Sequence, residues 1–589
     1  MKNFFGRVIS TIVGNLATFS IFTLIFIGII FISSLSTNTP TIKESSVLEI
    51  TFDDPIIESD MDNEVSLFSL STPEEFYFKD ILESIEYAKT DDNIKGISLK
   101  IENFNGGLAQ AEEIRKKLEE FKSSGKFIYA YSNNATQASY YLSSVADKFF
   151  QNPLGGVLLQ GMSSDVMFFK NAGDKYGIDF QIIRYGEYKS AVEPYFRTNL
   201  SDENKLQLNV LLKDIWSNIG QGIIKSRNIQ PNQFKTIVDS LYSYIPEVGL
   251  NHKIYDQIIH EAEYQDILFK KLALEESKNK SNTEILEKHT ITIDDYFHTF
   301  SSSDNKEKIA ILYASGTITE GDGFDGIQSK TYVEAIREIA KNKNVKALVL
   351  RINSPGGSAN ASEEILFELS RLKQKMPIVI SFGDVAASGG YYIAQHSDKI
   401  FAQNNTITGS IGVFGMIPNA QKLTENIGIT TDGVKTNANA DQLKSIFKPI
   451  SSDTEKIMTK SVVMVYQKFV NHVARNRKMS FEAVDKLGGG RVWSGISAKQ
   501  NGLVDEIGGL NDAILYAAKL AKIEKFSSIS YPKRKDSFEE LLEQMQGNSI
   551  ESKVKKELGT DTYGIYQQIK LLNTQKGVQA RLPFDIKIH

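Results

Sequence analysis

Asn93-Ile94-Lys95-Gly96-Ile97-Ser98-Leu99-Lys100-Ile101 and Asn344-Val345-Lys346-Ala347-Leu348-Val349-Leu350-Arg351-Ile352 are two versions of one segment. Their recurrence decides the fold. Each is followed by a glycine pair, Gly106-Gly107 or Gly356-Gly357, and then by a helix-like stretch near 109–122 or 360–375. A short apolar run comes next, at 127–131 or 378–382. Tyr140-Tyr141 then matches Tyr391-Tyr392, and Asp147-Lys148 matches Asp398-Lys399. The offset stays at 250–251 residues throughout, which marks a tandem duplication with halves near 45–300 and 305–530.

Residues 348–352 and 378–382 are short β-branched and aliphatic runs, the pattern of strands buried in a parallel sheet. Ile365, Leu366, Leu369 and Leu372 recur at helical spacing between them. Strands alternating with helices imply an α/β fold with crossover connections. Residues 201–227 and 454–477 form long helical patterns in matching places, with Ser201 and Ser452 as expected N-caps. The polar, lysine-rich stretch 270–305 reads as the linker. The expected division is 1–40 as a cytoplasmic N-terminus and membrane anchor, 41–300 and 301–532 as the two α/β repeats, and 533–589 as an extension. Residues 538–545 in that extension have the pattern of a short amphipathic helix.

Composition excludes several classes. With 41% hydrophobic and 24% charged residues, the 589-residue chain is globular rather than disordered or fibrous. A net charge of −5 gives no support to nucleic-acid binding. The absence of cysteine excludes disulfides, thiolate metal sites and a cysteine nucleophile. Seven scattered histidines without an H-E-x-x-H motif point to no metal and no cofactor. Residues 8–35 carry no charge, and Phe-Ser-Ile-Phe-Thr-Leu-Ile-Phe-Ile-Gly-Ile-Ile-Phe lies at 19–31. About 20 apolar residues span a bilayer as a helix. Lys2 and Arg7 are the only charges ahead of this run, so residues 1–7 are expected in the cytoplasm and the body outside. A cleaved signal peptide is the rival reading of the same run.

Two glycine-rich elements follow strands in the second half. One is Asn353-Ser354-Pro355-Gly356-Gly357-Ser358; the other is Gly383-Asp384-Val385-Ala386-Ala387-Ser388-Gly389-Gly390-Tyr391-Tyr392. Ser388, flanked by glycine at an expected helix start, suits a nucleophile. The N–H of Gly389, with that of Gly356 or Gly357, suits an oxyanion hole. Close helix–strand packing explains such small residues equally well. A serine also needs a base, and His396, two helical turns beyond Ser388, is out of reach. With the repeat offset, Ser388 corresponds to Gln137 and Lys189 to Ala440. Each half thus keeps a different part, which predicts one Ser–Lys dyad assembled across the halves, although a lone lysine is ordinarily a solvated surface charge.

These residues resemble a known family. Gly383–Tyr392, Thr408-Gly409-Ser410-Ile411-Gly412 and Gly186-Glu187-Tyr188-Lys189-Ser190-Ala191-Val192-Glu193-Pro194 are similar to the motifs of signal peptide peptidase A, in its long, duplicated form also called protease IV. The resemblance runs from the anchor through Gly488-Gly489-Gly490-Arg491-Val492-Trp493. It implies a crotonase-like α/β superhelix shared with the Clp proteolytic subunit. It implies Ser388 as nucleophile, Lys189 as general base and Ser410 as the residue that positions the lysine. It further implies a homotetramer on the bacterial inner membrane, single-pass, with its body on the periplasmic side, degrading signal peptides and other apolar peptides. Asp384 stands where a smaller or apolar residue is expected. To act near neutral pH, a lysine must fall from about 10.4 to about 7–8, which requires desolvation. The alternatives are a crotonase-fold acyl-CoA hydratase or isomerase, and a non-catalytic membrane scaffold.

Overall fold

Two sheets that share a core of six parallel strands in the same order form the body of the chain. In the computed structural model, the residues described are 41–52, 54–58, 76–300, 305–323, 326–443, 445–533 and 579–581, together with 14, 15, 18, 21 and 22. The first sheet runs Gln257–Ile258, Lys148–Gln151, Phe127–Ser132, Ile94–Leu99, Ser46–Ile50, Thr290–Thr292. In the second, Glu506–Ile507, Lys399–Ala402, Ile378–Ala387, Val345–Ser354, Lys308–Ser315 and Ser527–Tyr531 follow in equivalent order. Ile407–Gly409 and Val492–Ser494 extend the second sheet beside the far end of Ile378–Ala387. The central strands are buried on both faces because helices cover both, so their sequences are continuously apolar rather than alternating. Leu350, for example, lies between Leu312 and Ile380, and all three are buried. Each such side chain contributes about 1.5–3 kcal/mol by leaving water.

The equivalent helices Asp202–Arg227 and Ser452–Arg477 are each 26 residues long. Ser201 caps the first, its hydroxyl accepting from the N–H of Asn204. The second is capped by Ser451 rather than the expected Ser452: the Ser451 hydroxyl accepts from the N–H of Thr454, which leaves Ser452 as the first helical residue. Asn228 and Lys478 end the two helices in the left-handed conformation.

The stretch 270–305 is not simply a linker. It carries the helices Asn282–Glu287 and Ile293–Phe297, and Thr290–Thr292 between them is the edge strand of the first sheet, paired with Val47, Leu48 and Glu49. Its polar surface hides buried anchoring residues, among them Leu286, Ile291, Ile293 and Tyr296. The apolar run 8–35, apart from the five positions named above, and the pattern at 538–545 lie outside the described residues. Among the described residues, no helix is long and apolar enough to cross a membrane.

A third sheet joins the halves. Its order is Ile327–Gln328, Ile318–Thr319, Gly356–Ser358, Gln579–Arg581, Val413–Asn419, Asp179–Tyr185. Asp179–Tyr185 of the first half runs antiparallel to Val413–Asn419 of the second over seven residue pairs. Buried charge also ties the halves together. Arg351 donates to both carboxylate oxygens of Glu58 at 2.9 Å and to the Ser381 hydroxyl. Glu113 accepts from the N–H of Leu510 at 2.6 Å.

Candidate active site

Ser388 follows the strand Ile378–Ala387 and precedes the short helix Gly389–Ile393. Its backbone has φ 54° and ψ −115°, a conformation that costs a non-glycine residue energy and persists only where the surroundings enforce it. Two backbone hydrogen bonds do so: the Ser388 N–H donates to the carbonyl of Gly409, and the Tyr392 N–H donates to the carbonyl of Ser388. The helix has only five residues, so it offers the N–H groups of one turn rather than the macrodipole expected of a longer helix. Ser410 also has positive φ, 50°, and its N–H donates to the Arg491 carbonyl at 2.7 Å.

Lys189 comes from the other half, just after Asp179–Tyr185. Its Nζ lies 2.8 Å from Ser388 Oγ, 2.9 Å from Ser410 Oγ and 3.3 Å from the Ser410 carbonyl. All three residues are 0% exposed. Burial pushes the Lys189 ammonium well below its ordinary pKa, with no carboxylate to restore it. A neutral amine has two N–H groups and one lone pair. Ser410 supplies two acceptors for the N–H groups, which leaves the lone pair for the Ser388 hydroxyl. This is the geometry of a nucleophile beside its base, and it is assembled within one chain by the antiparallel pairing of the two halves.

Several residues to which the sequence reading assigned no role hold the lysine. Gly490 lies so close that a β-carbon there would sit 2.5 Å from Lys189 N and 2.6 Å from Lys189 Cα. A β-carbon on Gly412 would meet Lys189 Cδ at 3.2 Å. Glu193 is buried and accepts from the Ser201 hydroxyl at 2.5 Å and from Asn204 Nδ2 at 3.0 Å, which fastens the lysine segment to the cap of Asp202–Arg227. Gln207, on that helix, donates to the Tyr188 carbonyl and the Ser190 hydroxyl and accepts from the Val492 N–H. The Gly488-Gly489-Gly490 run and the motifs that contain Gly412 and Glu193 were the available signals for this shell.

The three glycines converge. A β-carbon on Gly356, whose φ is +94°, would lie 2.6 Å from Gly389 N; one on Gly389 would lie 3.1 Å from Gly357 N. Asp384 reaches the other half of the chain. Its Oδ1 accepts from the N–H of Ala109 at 2.7 Å, so it caps the first turn of Leu108–Lys122 in the other half. Burial, reinforced by nearby Glu58, raises its pKa to about 6. His396 stands beside His472, with ring centroids 5.5 Å apart, and burial lowers its pKa. Among the described residues no cluster of three or more His, Cys, Asp or Glu could hold a metal ion.

Residues 120–275 and 370–524 each match peptidase family S49, and the two stretches begin 250 residues apart, in step with the repeat. The chain is 35% identical over 479 residues to Protease 4 of Salmonella typhi, covering 80% of this chain and 76% of that one. It is 30% identical to the chloroplastic serine protease SPPA of Arabidopsis thaliana, covering 85% of this chain and 73% of that one. Among solved structures, a ClpP1 mutant from Listeria monocytogenes aligns at 16% identity with a TM-score of 0.24, covering 35% of this chain and 94% of its own. At that score the fold rests on the strand order described above.

Proposed function

The chain belongs to peptidase family S49 as a tandem duplicate and is a serine-type peptidase, and from that premise we propose that Ser388 and Lys189 form its catalytic dyad. The observation that carries this reading is the 2.8 Å approach of Lys189 Nζ to Ser388 Oγ in a buried, carboxylate-free setting. Neutral Lys189 takes the Ser388 proton as Oγ attacks the peptide carbonyl. Backbone N–H groups of Gly389 and the Gly356-Gly357 pair hold the oxyanion. Lys189 then protonates the leaving amine, and water hydrolyses the acyl-enzyme. Ser410 acts as the positioning residue, holding the amine's two N–H groups.

The repeats 41–300 and 301–532 are in this reading two parts of one catalytic body, with residues 1–40 anchoring it to the inner membrane from the periplasmic side. The substrates are signal peptides and other apolar peptides released into the bilayer, and the assembly is a homotetramer. The anchor proposal rests on the uncharged run 8–35 behind Lys2 and Arg7; the substrate and subunit proposals rest on the motif resemblance. The test is hydrolysis of a fluorogenic apolar peptide by the full chain in detergent, beside Ser388→Ala and Lys189→Ala. Loss of at least about 100-fold in both variants supports the dyad; equal rates in all three sink it.

A further inference from the structure

Arg491 is the one charged residue in the run Gly488-Gly489-Gly490-Arg491-Val492-Trp493. Its Nε is buried and meets no hydrogen-bond acceptor among the described residues. A buried donor without a partner costs stability, so its retention calls for a reason. Two aromatic faces hold the guanidinium instead. Its central carbon lies 4.1 Å from the centroid of the Trp493 ring and 5.2 Å from that of Tyr188. Such stacking suits a planar, weakly hydrated cation.

The two rings belong to the two segments that build the base. Tyr188 directly precedes Lys189. Trp493 lies in the strand Val492–Ser494, which runs antiparallel to Ile407–Gly409 just ahead of Ser410. The indole is itself fixed, its Nε1 donating to the Leu487 carbonyl at 3.0 Å. The backbone of the loop makes the same connection. The Arg491 carbonyl accepts from the Ser410 N–H at 2.7 Å, the Gly490 N–H donates to the Ile411 carbonyl at 2.8 Å, and the Tyr188 N–H donates to the Gly489 carbonyl at 3.0 Å. Of the other charged groups on the lysine segment, Arg184 faces Glu193 at 3.8 Å and Glu187 is exposed.

The repeat separates this arrangement from the needs of the fold. With the offset of 250–251 residues, Arg491 falls at Ser240 or Leu241, and Tyr188 falls at Ala438 or Asn439. The first half reaches the same strand order with neither cation nor ring in those places. The stacked pair therefore accompanies the lysine and not the fold.

We propose that Arg491 is a second positioning residue for the general base, its main chain fixing Ser410 and its side chain clamping Tyr188. This rests on the Ser388–Lys189 reading. One residue then grips Lys189 from both sides: through the serine that receives its N–H groups, and through the ring next to it in the chain. The clamp holds Nζ in line with Ser388 Oγ and keeps water out of the lysine segment.

The test uses the full chain in detergent, as wild type, Lys189→Ala, Arg491→Leu, Tyr188→Leu and the Arg491→Leu/Tyr188→Leu double variant. Hydrolysis of a fluorogenic apolar peptide gives kcat and KM across pH, and thermal denaturation gives Tm. A misplacement of about 1 Å can cost about 100-fold, so each single variant should lose about 10–100-fold in kcat at nearly unchanged KM. Both should move the acid limb of kcat/KM to higher pH, because a loosened segment admits water to the amine. The double variant should lose no more than the worse single variant, since both remove one contact.

A retained kcat with only Tm lowered overturns the clamp, and so does a rise in KM alone, which would make Arg491 a substrate contact. Losses that multiply in the double variant overturn it as well. Because Tyr188→Leu keeps the cation, a limb that moves in Arg491→Leu alone would make the arginine a distant field charge. If Arg491→Leu does not fold, Tyr188→Leu decides by itself: a limb moved upward supports the clamp, and an unmoved one overturns it. Each of these outcomes, beside an inactive Lys189→Ala, leaves the dyad standing. A Lys189→Ala enzyme as fast as the wild type overturns both.

Discussion

Replacing Lys189 by methionine separates chemistry from stability, because the two should move in opposite directions. The lysine is fully buried, and its amine touches only the Ser388 hydroxyl and the hydroxyl and carbonyl of Ser410. Methionine has nearly the same volume and no proton to exchange. Loss of the general base should lower kcat/KM by about 10²–10⁴-fold, or about 3–5 kcal/mol of barrier. Adding Ser388→Ala should lower it no further, because nucleophile and base act as a unit. Stability should respond the other way. The folded-state pKa of Lys189 is depressed by burial, so between that value and its unfolded value the unfolded chain binds more protons. The wild type therefore loses stability as pH falls through that window, and Lys189→Met escapes the loss. Its Tm advantage should be smallest near pH 10.5 and grow toward neutral pH. The same depression predicts that wild-type kcat/KM rises with pH and levels off below the ordinary lysine value. Fluorogenic hydrolysis and thermal denaturation across pH read all of this. A Lys189→Met enzyme within threefold of wild type would refute the role of the amine. A Tm lowered in step with activity would show a structural lysine instead.

Three further outcomes follow from the same geometry. Gly356→Ala places a methyl group 2.6 Å from Gly389 N and 3.0 Å from the Ala387 carbonyl, at φ +94°; kcat/KM should fall by about 10²–10³-fold, the worth of an oxyanion donor, while circular dichroism keeps its α/β signature. Glu58→Ala removes the carboxylate that holds Arg351 through both oxygens and leaves it only Glu113, at 3.8 Å, as a charged partner in ion-pair range; breaking such a buried pair should cost about 3–5 kcal/mol in denaturant unfolding. The raised pKa of Asp384, about 6 against an ordinary 3.8, means that the folded chain holds the extra proton between those values, so stability falls as pH rises from about 4 through 6. Asp384→Asn should flatten that fall, about 3 kcal/mol at most; an unchanged Tm slope over the same range would discard the argument.

Much of this protein is legible locally. The duplication shows in the matched runs at 93–101 and 344–352, because a strand buried on both faces needs an unbroken apolar run and leaves it in the sequence. Ser388 and Lys189 stand out because each is missing from the matching place in the other half, at Gln137 and Ala440, and the role of Ser410 comes from the motif resemblance. The residues that hold Lys189 left weaker marks. Glu193 lies in the Gly186–Pro194 motif with no role assigned to it, and Gln207 lies in the long helical pattern 201–227, until the tertiary structure buries both beside the lysine segment. Asp384 reads as a misfit in a pocket until Leu108–Lys122 places its first turn against it. Thr290–Thr292 reads as part of a polar linker, because an edge strand needs only one buried side chain, Ile291. The strands Asp179–Tyr185 and Val413–Asn419 meet across more than two hundred residues, and Gln579–Arg581 reaches Gly356–Ser358 over a similar span. Local periodicity reports which face of an element is apolar; it carries no information about which distant edge completes a backbone ladder. The chain alone therefore determined the repeat, the strand-and-helix alternation and the residue types of the site. Only the tertiary structure decided that lysine and serine meet inside a single chain, desolvated, with the chain's own tail lying across the glycines beside them.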